Sequence, residues 1–419
     1  MLPARTPSAA VKENLLPRSM KIPRLAIIST HPIQYYAPIF QALVRSGKLC
    51  VRVFYTWSQT ASAEVADSGF GRTIRWDIPL LEGYEFEFVP NVARRPGTDH
   101  FFGLRNPSLN RAVESWQPDA VLVFGWNSEA HLRALLHFKQ RIPVFFRGDS
   151  TLLNRRPGWR TLARKLYLNW VYRHVDVAIA VGANNRDYYE WCGLAPEQIA
   201  FAPHAIDTER FADPQGQHEG TAQQWRAQLG IAPQARVVLF AGKLQVQKDP
   251  FLLLAAFLTC EAAGHLVFVG HGALESELRA RAAGHSNVHF LPFQNQLAMP
   301  AVYRLGDVFI LPSCSETWGL ALNEAMACGR ALIASDRAGG TRDLVKEGIN
   351  GWAFRSGDLV GLTSVIRRAL TCQESQLRSM GEAARQESSR WSIREAALGI
   401  ERAVMCYVFD SSRAPLPSA

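Results

Sequence analysis

From residue 22 onward, short and wholly apolar runs alternate with stretches of helical spacing, and few folds accommodate that alternation. The run Leu25-Ala26-Ile27-Ile28 precedes a helical stretch near residues 36–46, and Cys50-Val51-Arg52-Val53-Phe54-Tyr55 comes after it. The same βαβ rhythm continues through strands at 120–124, 143–146 and 175–180, with a helix over about 128–139. Strands lacking a polar face belong to parallel sheets covered by helices on both sides. Between Asp207 and Pro233 the text turns to Asp, Pro, Gln, Gly and His, and a second series then runs through 237–241, 266–269, 288–291, 308–311 and 331–334. The expected architecture is therefore α/β: two Rossmann-like, doubly wound domains in tandem, at 21–207 and 233–395. A linker at 208–232 joins them, with a flexible extension at 1–20 and a closing helix and tail at 396–419. Ligands of such sheets bind beyond the carboxyl ends of the strands, which places the site in the cleft between the two domains.

The strongest local text leaves the strand ending at Leu311: Pro312-Ser313-Cys314-Ser315-Glu316-Thr317-Trp318-Gly319-Leu320-Ala321-Leu322-Asn323-Glu324, with the helix stopping at Gly329. Glu316 falls on the loop at the strand's mouth and Glu324 on the second helical turn. The backbone N–H groups around Gly319 and Leu320 form a helix start suited to phosphate. Two carboxylates would repel that anion unless they face hydroxyls, and sugar or ribose hydroxyls are their natural partners. Taken alone, the pair also reads as one solvated loop residue and one ordinary helix-face residue. A second constellation, Gly242-Lys243-Leu244-Gln245-Val246-Gln247-Lys248, opens a buried strand into a glycine turn with two lysines. Aimed into the same cleft, they would neutralise a diphosphate and stabilise its departure; on a loop alone, they read as surface lysines.

Together these segments resemble the nucleotide-sugar domain of glycosyltransferase family 4, a retaining family of the GT-B fold. Glu316 and Glu324 match its E-x7-E signature, and Gly242, Lys243 and Lys248 match its G-[RK]-L…K loop. Gly339-Gly340-Thr341-Arg342-Asp343 and Gly348-Ile349-Asn350-Gly351 match the family's segment downstream of that signature, so that the likeness spans residues 236–400. The resemblance implies that Glu316 holds donor-sugar hydroxyls, Glu324 the ribose, and Lys243 with Lys248 the diphosphate. It also places Thr317, Gly319 and Leu320 against the donor and the base near Gly270 and Phe293.

In the N-terminal half, His31-Pro32-Ile33-Gln34-Tyr35 resembles a subgroup of the same family that opens with this motif, while the usual glycine-rich first loop is missing. His31, Gln34 and Tyr35 stand at a strand's carboxyl end, where they touch acceptor or donor phosphate or else form a helix start shaped by Pro32. Relatives carry a His near the transferred sugar where this chain reads Arg147-Gly148-Asp149, which makes Arg147 a phosphate candidate and Asp149 an acceptor candidate, or both turn caps. His204 replaces the Asn of the family's P-N-G-x-D and is read as a hinge or a site residue.

The net charge of +9 admits polyanionic partners: phosphates, nucleotides, nucleic acid or an anionic membrane face. Neither a basic stripe with stacking aromatics nor a docking motif is present, so nucleic acid is not an expected partner. The seven cysteines are odd in number and widely spaced, which reads as reduced core thiols of a cytosolic protein. The segment 155–173 holds six basic residues and no acidic one, with Trp159, Leu162, Ala163, Leu166, Tyr167, Trp170 and Val171 at helical spacing. The simpler reading buries that stripe in the N-terminal domain and leaves a solvated basic face; the other docks it peripherally on anionic lipid, which suits a lipid-linked acceptor.

The expected function is transfer of a sugar from a nucleoside-diphosphate sugar to a glycan or lipid-linked glycan, with no cofactor and no metal, since lysines and helix N–H groups supply the positive charge. By resemblance, the reaction retains anomeric configuration through front-face attack. A nucleotide-sugar epimerase on the same scaffold, a non-catalytic sugar-nucleotide-binding subunit and a polyanion-binding module are the alternatives.

Overall fold

In the computed structural model, which describes residues 22–58, 65–67, 72–155 and 158–409, the alternation resolves into two parallel sheets. The expected extension at 1–20 lies outside the described residues. The first half contributes β1 (Arg24–Ser29), β2 (Cys50–Tyr55), β3 (Val65–Asp67), β4 (Arg72–Ile74), β5 (Glu85–Phe88), β6 (Ala120–Phe124), β7 (Val144–Arg147), β8 (Val177–Ala180) and β9 (Ile199–Phe201). The second contributes β10 (Val237–Ala241), β11 (His265–Val269), β12 (Val288–Leu291), β13 (Val308–Leu311), β14 (Ala331–Ser335) and β15 (Gly351–Phe354). The sheet orders are β5-β2-β1-β6-β7-β8-β9 and β12-β11-β10-β13-β14-β15, and β3 pairs antiparallel with β4 in a separate ribbon.

The strands lack a polar face because both faces are covered. In β1, Leu25 and Ile27 join one apolar cluster with Phe40, while Ala26 and Ile28 join the opposite cluster with Phe138. In β10, Leu239 and Ala241 pack to one side, and Val238 and Phe240 to the other. Strand order reverses beside β1 in the first sheet and beside β10 in the second. The crevice of a doubly wound sheet opens at that reversal. Here it leads straight into Thr30-His31 on one side and Gly242-Lys243 on the other.

Four expectations change. Residues 208–232, expected as a linker running into a polar helix, are helical at Thr208–Phe211 and Gln217–Gln228 but are not free of the domain, since Phe211, Ala222 and Ile231 are buried in the core of the second domain. Their few apolar side chains suffice because Arg226 ties the segment to Asp307 at 2.7 Å and to the Leu305 carbonyl at 2.9 Å. The final helix, Ile393–Val408, crosses back to the first domain and lays Ala396, Ile400 and Val404 into the cluster of Leu25 and Ile27. The helix Trp159–Tyr172 buries Leu168, Val171 and Tyr172 and leaves Trp159, Leu162 and Leu166 outside. The stripe read from spacing as core is therefore mostly on the surface. All seven cysteines are unpaired; Cys192, Cys260 and Cys328 are buried, but Cys50 and Cys406 are exposed rather than core.

Candidate active site

A cavity of about 490 Å³ lies between the two domains at the carboxyl ends of β1 and β10. From the second domain it is lined by Gly242, Lys243, Lys248, Gly270, Phe293, Glu316, Thr317, Gly319, Leu320 and Glu324, which is every donor-side residue singled out from the sequence. From the first domain it receives His31, Gln34, Tyr35, Asp149 and His204.

The two lysine- and glutamate-bearing loops are held together through backbone. The Gln247 carbonyl accepts from the Cys314 N–H at 3.0 Å, which sets the turn Val246–Lys248 beside the loop that carries Glu316. Asp249, at φ 48°, caps the helix Pro250–Thr259 by accepting from the Leu252 N–H at 3.3 Å. The Lys248 ammonium consequently donates to the Glu316 carboxylate, with both side chains about one-fifth exposed at the cavity wall. Glu316 is also pinned by its main chain, since its N–H donates to the Arg337 carbonyl at 3.2 Å and its carbonyl accepts from Gly339 at 3.1 Å. An ion pair at the mouth of a strand gives the site a carboxylate for hydroxyls and an ammonium for phosphate within reach of each other.

Glu324 is buried on the inward face of the helix Leu320–Ala327. One carboxylate oxygen accepts from the Tyr303 hydroxyl at 2.5 Å and the other from the Tyr35 hydroxyl at 3.2 Å. Burial raises its pKa, opposed by the Tyr303 bond, the Arg210 charge and the Tyr35 bond. Because Tyr35 comes from the first domain, this carboxylate is bound from both sides of the cleft. Glu324 also lines the cavity, and a carboxylate with acceptor capacity beyond two tyrosine hydroxyls suits a diol.

The start of that helix supplies the third component. Gly319 caps it at φ 97°, and a Cβ there would lie 2.7 Å from Leu311 Cδ2, so only glycine brings these N–H groups to the cavity wall without strain. The first N–H groups of a helix have no intrahelical acceptor and carry the positive end of its dipole. Gly270, at φ 141°, has the same necessity: a Cβ would lie 2.0 Å from the Gly242 carbonyl oxygen, so the β10 and β11 exits could not approach.

On the first-domain side of the cavity the sequence expectations divide. Asp149 accepts from the Thr317 hydroxyl at 2.8 Å across the cleft. His31 bonds Thr30 through Nδ1 at 2.9 Å, and burial pushes its pKa down to about 4. His204 lies between Tyr36 and Trp318, its Nδ1 without a hydrogen-bond partner, and burial followed by the Arg147 charge pushes it down to about 3. Both imidazoles are thus neutral near pH 7. Arg147 is not a phosphate ligand: it is 2% exposed, lies outside the cavity wall and donates to the Ala202 and Pro203 carbonyls at 2.8 Å each. It fastens β7 to the loop that presents His204.

Tyr303 and Trp76 also line the cavity and were not singled out from the sequence. Tyr303 sits in a short apolar helix, Met299–Arg304, whose pattern reads as core. Only its hydroxyl contact to Glu324 reveals a second role. Among the described residues, no group of three or more His, Cys, Asp or Glu side chains is placed to hold a metal ion.

Known proteins resemble the chain in both of its domains. The family model described as glycosyl transferases group 1 matches residues 221–387, and that described as glycosyltransferase family 4 matches residues 49–210, so the two domains are matched separately and in order. The chain belongs to the GT-B glycosyltransferase superfamily of group 1 and family 4. Within it, a sulfoquinovosyl transferase of Arabidopsis thaliana is 26% identical over 310 residues, covering 70% of this chain and 58% of its own. A D-inositol 3-phosphate glycosyltransferase of Thermomonospora curvata is 31% identical over 198 residues, covering 44% and 46%. The chain thus spans about half the length of the curated relatives it matches. Among solved GT-B structures, Anabaena HepE, crystallised with UDP and glucose, superposes with a TM-score of 0.68 at 19% identity, over 91% of this chain and 99% of that one. The fold of the whole described chain is therefore that of this superfamily.

Proposed function

We propose that the protein is a retaining glycosyltransferase that moves a sugar from a nucleoside-diphosphate sugar to a hydroxyl of a glycan or lipid-linked glycan. The observation that carries this reading is the convergence of Lys243, Lys248, the helix start at Gly319, Glu316 and Glu324 on one interdomain cavity. Lys243, Lys248 and the helix N–H groups stabilise the charge that grows on the diphosphate as it leaves. Glu316 takes hydroxyls of the transferred sugar, and Glu324 takes the ribose diol against the backing of Tyr303. Phe293 and Gly270 border the base. The acceptor enters from the side of His31, Gln34 and Asp149. In the transfer its hydroxyl oxygen bonds to the anomeric carbon while the bond from that carbon to the phosphate oxygen breaks. The hydroxyl proton passes to the departing phosphate on the same face. Both neutral imidazoles leave the charge of that face to the cations of the second domain. The names of the relatives support sugar transfer as the reaction class, and HepE makes UDP-glucose the first donor to try.

The test is incubation with UDP-, GDP- and ADP-sugars, with and without oligosaccharide or lipid-linked acceptors. Release of nucleoside diphosphate with product of the donor's anomeric configuration by NMR is the expected result. Interconversion of the donor sugar without an acceptor would instead identify an epimerase, and no turnover of any donor by a protein that still binds nucleotide would identify a binding subunit.

A further inference from the structure

We propose that the helix Trp159–Tyr172 is a docking surface for an anionic lipid bilayer, placed so that a membrane-borne headgroup reaches the donor cavity. Its inner face, Leu168, Val171 and Tyr172, is buried and fastens the helix to the first domain. Its outer face is apolar too: Trp159 is 76% exposed, Leu162 60% and Leu166 64%, with Tyr167 and Trp170 each at 42%. At 3.6 residues per turn, Trp159, Leu162, Leu166 and Trp170 form one outward stripe. A soluble surface rarely keeps such a patch without an occupant.

The charges choose the occupant. Arg160 and Arg164 line the trough beside the stripe, Lys165 turns back over the Trp191 ring at 5.5 Å, and the helix holds no acidic residue. A second copy of the chain laid face to face would set arginine against arginine. An anionic headgroup layer answers both features at once, since the basic side chains meet phosphates while Trp159 and the leucines enter the acyl boundary. Among the described residues no helix is long and apolar enough to cross a membrane, so the contact is one of the surface.

Position adds an independent observation. A trough of about 780 Å³ runs from Trp159, Arg160 and Arg164 past Arg155 and ends at Glu316 and Thr317, which also line the donor cavity. The docking face is therefore continuous with the site, and a lipid phosphate passing along the trough meets guanidinium groups until it reaches the sugar-holding carboxylate. The identity of what enters the cleft rests on the transferase reading; the docking itself does not, and it is measured without substrate.

The test is co-sedimentation of the full chain with vesicles of phosphatidylcholine alone and of equimolar phosphatidylcholine and phosphatidylglycerol. The protein is expected to partition onto the anionic vesicles, less so as salt rises. Leu162→Glu with Leu166→Glu should release it, and Arg160→Ala or Arg164→Ala should each weaken partitioning about fivefold. Unchanged thermal melting and unchanged donor hydrolysis in the absence of lipid would show that the glutamate variant is folded and its cleft intact; Trp159→Ala provides a milder second probe. The proposal is overturned if anionic vesicles are not bound, if binding does not distinguish the two vesicle types, or if folded stripe variants bind like the parent. A dimer in sedimentation equilibrium that dissociates in the Leu162→Glu, Leu166→Glu variant would overturn it as well, by making a second copy the occupant.

Discussion

Glu324 shows how one side chain serves binding at the expense of stability. Burial raises its pKa, so the folded state takes up a proton more readily than the unfolded chain does. Its contribution to folding is therefore favourable at acid pH and is lost as pH rises through the folded-state pKa. Glu324→Gln, which removes the buried charge, should raise Tm by about 2 °C or more at pH 7. That gain should vanish at acid pH in melts monitored by circular dichroism, while the donor KM rises about tenfold. At Glu316 the expectation is different, because its ion pair with Lys248 lies at the wall and not in the core: Glu316→Ala should lower kcat about hundredfold in a transfer assay with little change in Tm. Both glutamates were legible in the sequence, since a strand mouth and a helix turn fix where each points. Tyr303 was not, because a tyrosine among Met, Pro, Ala and Val looks like packing until its hydroxyl is seen on Glu324.

Elements were legible where burial is symmetric and misread where it depends on a neighbour. Strands such as β1 and β10 needed only their unbroken apolar text, because helices cover both faces. The helix Trp159–Tyr172 carries apolar residues nearly all round, and spacing alone does not say which arc meets the domain. Arg147 failed for a related reason: a lone arginine at a strand end signals a ligand as readily as a fastener, and the carbonyls it serves lie 55 and 56 residues further on. As a fastener, Arg147→Ala should destabilise the protein by about 3 kcal/mol in urea unfolding, leaving two buried carbonyls without donors. A phosphate ligand would instead show its loss mainly in donor KM.

At the scale of the whole molecule, the domains meet around the cavity through polar ties beside a small apolar contact, in which Val181 and Tyr35 pack against the core of the second domain. Tyr35 bonds Glu324, Thr317 bonds Asp149 at 2.8 Å, Asn184 donates to the Gly339 carbonyl at 2.8 Å, and Arg342 pairs with Asp187 at 2.6 Å. Such contacts exchange readily with water and ligand, so the cleft can admit a donor without unfolding either domain. A nucleoside diphosphate at 100 times its Kd should stabilise the fold by about 2.7 kcal/mol, visible as a thermal shift that ranks UDP, GDP and ADP. None of these ties was foreseen from the sequence, because each joins residues of two domains whose mutual orientation no local pattern encodes.

If one interdomain cavity grips a diphosphate between two lysines and a helix start, removing one of those lysines must weaken nucleotide binding. Isothermal titration of UDP, GDP and ADP into the parent protein and into Lys243→Ala tests this most directly. One nucleotide should bind the parent at a single site and lose about tenfold or more in affinity to the variant. Binding of none of the three, or equal affinity in the folded variant, would contradict it.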